Sequence, residues 1–223
     1  MKIETSSDIA KIFFKVFKIC IGLFIAGIGI AIMYNVGWGS APGATLTQGL
    51  SAFTGYTYGI SSIIVNLTFL ILLFFLDKTL IGVGTVLVTF FLGFFIDLGM
   101  LIVSPFYINL MSLELKIVMM IIGSIIIAIG FGYYVGVDFG TGALDGLAVA
   151  LNRKFNIPFT YCRWGSDAIL MLIGILLGAS WGAGTVSCLV LTGPIMNFVI
   201  NKTQSFREKK LNRLKEKSIL NTK

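Results

Sequence analysis

The sequence predicts an all-α integral membrane protein. Six transmembrane helices form two inverted three-helix repeats, each carrying a short broken or re-entrant half-helix. Three observations point there. Hydrophobic residues make up 57% of the 223 residues and charged residues 12%, with a mean hydropathy of +0.95, a composition far from the soluble average. Several apolar runs approach or exceed the roughly 20 residues needed to cross about 30 Å of hydrocarbon. Finally, an uncharged, glycine-rich stretch at 36–50 recurs at 137–151, where Trp38, Gly39, Ser40 and Leu50 fall on Phe139, Gly140, Thr141 and Leu151 at an offset of 101.

In chain order, residues 1–16 read as a basic cytoplasmic N-terminus and 17–103 as the first membrane repeat. Residues 104–114 read as an extracytoplasmic loop, 115–200 as the second repeat and 201–223 as a basic cytoplasmic tail. The first span covers about 17–35 and is a membrane helix rather than a removed signal, because no small-residue cleavage site follows it. Pro42 suits the first turn of a short helix over about 41–53. Thirteen residues rise only about 20 Å, short of a crossing. Further spans are expected at 58–76, 79–103, 115–137, 159–178 and 181–200, with a charged loop at 152–158.

The net charge of +7 is concentrated at the ends. Residues 201–223 hold eight Lys/Arg and two Glu, and residues 1–18 hold four Lys and two acids. The positive-inside rule accounts for this with both termini cytoplasmic and with Arg153 and Lys154 on the same side. No nucleic-acid partner is needed to explain the charge. Cys20, Cys162 and Cys188 lie within apolar runs without paired spacing, and histidine is absent. A disulfide framework, a metal site and a cofactor are therefore not expected.

The repeat extends past the half-helix. The hexapeptide at 81–86 matches 181–186 at an offset of 100, aligning Gly82, Gly84 and Thr85 with Gly182, Gly184 and Thr185 as repeat-packing positions. Three crossings per half are an odd number, so the second half must be inverted. Inverted repeats with discontinuous helices are a signature of secondary transporters; the other reading is a duplication retained for packing.

These features resemble the YczE/YyaS/YitT-like group of bacterial integral membrane proteins. The likeness rests on the Gly-x-Gly helix leading into Gly37-Trp38-Gly39-Ser40-Ala41-Pro42. It rests also on the two Gly-x-Gly-Thr motifs, and on Gly193-Pro194 followed by Asn197. The short stretch after the sixth span points to the YczE branch, since the YitT branch carries a soluble C-terminal domain. The resemblance implies residence in a bacterial cell membrane. It also implies kinship with proteins classed as permeases or exporters of small molecules.

Ionisable residues within spans are costly and usually face a bundle interior or a water path. Asn66 and Asp97 stand in the first half, and Asp167 and Asn197 at matching places in the second. The pattern suggests two polar sites, each with a carboxylate and a carboxamide able to hold a cation, accept a proton or bind an amine. The competing reading is interhelical hydrogen bonding. Arg163, four residues before Asp167, either pairs with it, leaving Asp97 as the uncompensated acid, or reaches toward the cytoplasmic interface.

The starts of the half-helices offer free N–H groups and a positive dipole end for a substrate. Ser40 and Thr141 are candidate caps, with Gly39 and Gly140 beside them. Asp138 and Asp145 bring acid to the second copy only, as substrate contacts or as dipole compensation. Trp38 and Phe139 read as gates or as interfacial anchors. In the tail, Phe206, Leu211, Leu214 and Ile219 suit either a helix lying on lipid or a solvated strand of charge.

The function expected is a small-molecule permease or exporter working by alternating access, with Asp97 or Asp167 taking a coupling proton. The alternative is a non-transporting accessory membrane protein that scaffolds a partner through its basic tail. No catalytic constellation stands at recognisable spacing, so an enzyme is not expected. Partners are the lipid bilayer and an unidentified small molecule, and the small-residue faces also permit a homodimer.

Overall fold

The computed structural model describes residues 6–140 and 142–220, which form eight α-helices and no strand. They are α1 (Ser6–Val36), α2 (Pro42–Thr54), α3 (Tyr58–Asp77), α4 (Val83–Val103), α5 (Leu113–Gly136), α6 (Ala143–Phe155), α7 (Phe159–Leu176) and α8 (Ala183–Leu220). Five of them are long and apolar enough to cross a membrane: the stretches Ile12–Val36, Tyr58–Leu80, Val83–Phe106, Leu113–Gly136 and Ala183–Phe206. The chain is thus a multi-pass, all-helical membrane protein. At 18 residues, and carrying Arg163 and Asp167, α7 is not among the five.

The helices end where backbone chemistry says they should. Pro42 occupies the first turn of α2, where its missing N–H costs nothing. Gly55 stops α2 with φ 75°, and Asn156 stops α6 with φ 54°, both in the left-handed region that Gly and Asn tolerate best. Upstream, Gly37 and Gly39 turn the chain with φ 76° and 93°, and Asp138 and Gly140 do so with φ 55° and 121°. The same conformations therefore recur at the 101-residue offset.

Several expected boundaries shift, among them the start of α4, at Val83 rather than 79. No Gly or Pro interrupts 195–220, so good helix formers carry α8 through the basic tail without a break. α1 likewise begins at Ser6, ahead of the expected span. The expected loop at 152–158 is shorter, because α6 runs to Phe155 and places Arg153 and Lys154 in its last turn, where cations oppose the helix dipole.

α1 is the central post. Its most apolar window is 56% buried within the protein, against 17% for α8. It packs against α5 and α4, while α8 lies on α5 and α3 on α4. Glycines set these crossings. A Cβ at Gly22 would come 2.9 Å from the Gly130 carbonyl, and one at Gly29 would come 2.7 Å from Ile127 N. Only hydrogen fits there, and close backbone approach is how membrane helices gain dispersion energy.

The short helices fill the remaining side. α2 packs on α7 and α6 on α3, and each loop before them docks on a Gly-x-Gly-Thr motif. The Gly84 amide donates to the Phe139 carbonyl at 2.7 Å, and the Gly184 amide donates to the Trp38 carbonyl at 2.9 Å. A Cβ at Gly84 would sit 2.8 Å from Phe139 O, so glycine is required for the backbones to meet. The two Gly-x-Gly-Thr motifs thus each tie the loop before a short helix to the other half of the chain.

Candidate functional site

The two half-helices begin beside each other. A Cβ at Gly43, in the first turn of α2, would lie 3.4 Å from Leu144 Cδ2 in the first turn of α6. Both helix starts line one cavity of ≈ 550 Å³, α2 through Pro42, Gly43 and Ala44, and α6 through Leu144 and Asp145. Its walls are mostly apolar, with Val65 and Phe69 from α3, Phe131 from α5, Trp164 from α7 and Met196 from α8. A volume of this size suits a drug-sized molecule.

One charged group stands in this wall. The Arg163 guanidinium bridges two carboxylates, donating from NH1 to Asp145 Oδ1 and from Nε to Asp167 Oδ2 at 3.0 Å. The Arg163 side chain is 34% exposed, Asp145 28% and Asp167 13%. Of the two readings open for Arg163, ion pairing is the one observed, and it engages Asp145 as well. Asp145, in the first turn of α6, also opposes that helix's dipole. With one cation against two carboxylates, the trio carries a net negative charge.

Its hydrogen bonding is incomplete. Asp167 Oδ1 is buried and accepts no hydrogen bond among the described residues, and neither does Thr192 Oγ1 in the α8 wall. A buried polar atom without a partner costs about 1–3 kcal/mol and calls for an explanation. By contrast, Asn66 is satisfied: its side-chain amide donates to the Ser62 carbonyl at 2.9 Å.

The structure brings Asn66, Asp145, Arg163, Asp167 and Asn197 to this one cavity. Asp97 is elsewhere. Its carboxylate accepts from the Thr57 hydroxyl and from the Gly59 amide, both at 2.7 Å, clasping the start of α3. The expected Asn66–Asp97 pair therefore does not form. Asp97 holds a helix N-terminus, a place where free amides and the dipole both attract a carboxylate. Its partners are neutral donors rather than a cation, while Asp167, paired with Arg163, keeps the buried open acceptor.

Ser40 does not cap α2. The N-cap position is Ala41, which makes no side-chain cap bond, and Ser40 Oγ is buried without a partner among the described residues. Thr141 lies outside the described residues. Trp38 and Phe139 are half-buried against the core, with the Lys15 ammonium 4.8 Å from the Phe139 ring centre. Gly39 and Gly140 sit in the docked loops, and Asp138 takes the left-handed turn before Gly140.

Two tyrosines escaped the sequence reading. The buried Tyr34 hydroxyl donates to the Ala44 carbonyl at 2.7 Å, and the buried Tyr134 hydroxyl accepts from the Gly142 amide at 3.2 Å. Each fastens the start of its own half-helix, and Tyr134 also lines the cavity. Their identity at an offset of 100 was the available signal. Gln48 was also missed; its Oε1 accepts from the Ser180 hydroxyl at 2.9 Å, tying α2 to the segment before α8.

The model of a family of unknown function, DUF6198, matches residues 13–201. The chain belongs to that family. Similar proteins include an uncharacterized protein of Haemophilus influenzae, 28% identical over 80% of each chain. Two from Bacillus subtilis are the uncharacterized protein YyaS and the uncharacterized membrane protein YczE. YyaS is 26% identical over 79% of this chain and 88% of its own, and YczE 25% identical over 79% and 81%. Both names fall in the group that the glycine motifs suggested. No solved structure matches the chain.

Proposed function

We propose that this protein is a small-molecule permease or exporter that works by alternating access. In this reading α7 is a sixth crossing, the two halves of the chain are inverted repeats, and both termini are cytoplasmic in a bacterial cell membrane. The observation that carries it is the cavity between the starts of two half-helices, lined by apolar rings and one Arg–Asp–Asp trio. Discontinuous helices that meet at a central cavity are how secondary transporters build substrate sites inside a membrane. Ionisable residues that line such a cavity are functional by default.

Alternating access needs a cavity closed on one side and open on the other. α3 packs along α4, whereas α7 and α8 make little contact among the described residues. Under the six-crossing topology, the α7–α8 gap lies toward the cytoplasm, on the side of Arg153 and Asp77, which pair at 3.1 Å. The cavity is then inward-open. Asp167 is the coupling acid in this scheme, since both Asp97 oxygens are engaged.

The test is flux in proteoliposomes holding the full chain, with and without a pH gradient, over a broad panel of amphiphilic solutes. Uptake above protein-free vesicles supports transport, and dependence on the gradient supports proton coupling. Absence of flux across the whole panel would sink the permease reading. The scaffold alternative would then lead, because α8 runs on as a long basic helix suited to docking a partner.

A further inference from the structure

We infer that the cavity binds an amphiphilic organic amine in its protonated form, with the ammonium group at Asp167 and the apolar body against the rings of Phe69, Phe131 and Trp164. The inference rests on the permease reading for its biological sense, though not for its chemistry. Four features of the wall lead to it.

The first is which hydrogen-bonding valence remains open. Arg163 is held between Asp145 and Asp167, so the only cation of the trio is already occupied. What is left over is an acceptor, Asp167 Oδ1, buried and without a donor among the described residues. A carboxylate oxygen is acceptor-only. An incoming group must therefore bring a proton to share, which an ammonium does and a carboxylate or phosphate does not.

The second is charge. The trio holds one positive and two negative groups, and an occupant bearing a single positive charge brings it to neutrality. A buried net charge is costly in surroundings of low dielectric, so the cation and the empty acceptor suit one another. An anion would add a third negative charge beside Asp145 and Asp167.

The third is a second open acceptor. Thr192 Oγ1, in the α8 wall of the same cavity, is also buried and without a partner among the described residues. An alkylammonium has three N–H donors to offer such acceptors. Fourth, the remaining wall is overwhelmingly hydrocarbon and aromatic, suited to an apolar tail. Aromatic faces also attract a cation.

The positive ends of α2 and α6 point the other way, since helix starts attract anions. Asp145 already answers the α6 dipole from its first turn. The first turn of α2 presents Pro42, which has no amide proton. Those ends therefore offer an anion less than the trio offers a cation.

The experiment is calorimetric titration of the full chain in lipid nanodiscs with three probes of one shape: phenylbutylammonium, phenylbutanol and phenylbutyrate. The ammonium should bind at least about tenfold more tightly than the alcohol, the worth of a charge-assisted hydrogen bond, and the carboxylate should not bind measurably. Asp167→Asn should lose about that same tenfold for the ammonium alone, and Thr192→Val a smaller factor. The comparison within wild type needs no variant to fold.

Equal binding of ammonium and alcohol, tighter binding of the carboxylate, or no binding of the ammonium would overturn the inference. Flux separates it from the reading beneath it. If the ammonium binds but is never carried, the site stands and the permease falls. If a neutral or anionic solute is carried equally by wild type and Asp167→Asn, transport stands and this site falls.

Discussion

The junction between α3 and α4 and that between α7 and α8 occupy matching places in the two halves of the chain, and they differ. At the first, a Cβ on Gly93 would run into the Gly59 carbonyl and lie 2.9 Å from Ile63 Cγ1, while Asp97 clasps the start of α3. At the second, Gly193 has no atom within 4 Å of a Cβ among the described residues, and Asn197 faces the cavity. One hundred residues separate Gly93 from Gly193 and Asp97 from Asn197. Like sequence thus serves a closed seam in one half and an open one in the other. A single static packing does not require glycine at an open seam, whereas a seam that closes in another state does.

The largest effect should come from filling the closed seam. Gly93→Leu forces a side chain against the Gly59 backbone, which cannot give as a flexible side chain would. Overpacking of this kind costs about 3 kcal/mol or more. The expected result is a large fall in the detergent-solubilised melting temperature and poor recovery of folded protein. Gly193→Leu should melt within a few degrees of wild type. Equal damage at both positions would mean that the two seams are alike in solution.

Next comes the charged wall, which also divides the halves unequally. Arg163 in α7 stands near two carboxylates, while the facing part of α3 offers only Ser62 and Asn66. Arg163→Gln leaves Asp145 and Asp167 uncompensated. A fully buried pair broken this way costs 3–5 kcal/mol, and the one-third exposure of Arg163 brings the expected loss to about 2 kcal/mol. Asp145→Asn added to Arg163→Gln should restore part of that loss. A double variant no better than the single would show that the trio does not act as a charge cluster.

Third is the clasp itself. Asp97→Ala removes two hydrogen bonds and leaves the Gly59 amide to find another partner, which should cost about 1–2 kcal/mol. It should also loosen the α3–α4 seam. With Cys20, Cys162 and Cys188 replaced by Ala and Ser62→Cys placed in the cavity wall, an impermeant maleimide applied from the side of the α3–α4 junction should label faster once Asp97 is gone. Unchanged labelling would make Asp97 a local cap with no part in closing that side of the cavity.

How much of this the sequence carried depends on whether the signal was local. The half-helices were legible because Pro42, the flanking glycines and the length between apolar runs are local facts, and the Arg163–Asp167 pair because four-residue spacing defines a helix face. Asp97 was not legible. Its place within an apolar run suggested an intramembrane acid, and only the approach of α3, forty residues earlier, turned it into a helix clasp. Asp145 joined Arg163 for the same reason, since α6 and α7 had to be folded together first. Ser40 had the residue type of a cap, but one position too early: Ala41 holds the extended N-cap conformation. Tyr34 and Tyr134 were lost among aromatic residues that mostly face lipid, although their offset of 100 is that of the two Gly-x-Gly-Thr motifs.

The smallest effect on stability is expected at Asn197, and it bears most on the comparison. The structure gives Asn197 no hydrogen-bond partner among the described residues, so Asn197→Ala should change stability by no more than about 0.5 kcal/mol. If the open seam is one state of a cycle, closing it brings the start of α7 to Asn197 as the start of α3 now meets Asp97. Asn197→Ala and Gly193→Leu should then retain wild-type melting while reducing flux, because they weaken or obstruct a state other than this one. Impermeant labelling of Ser62→Cys from the cytoplasmic side should rise in both, as the inward-open population grows. Full flux in both variants, at unchanged melting, would mean that α7 and α8 never close and that the asymmetry between the halves is fixed.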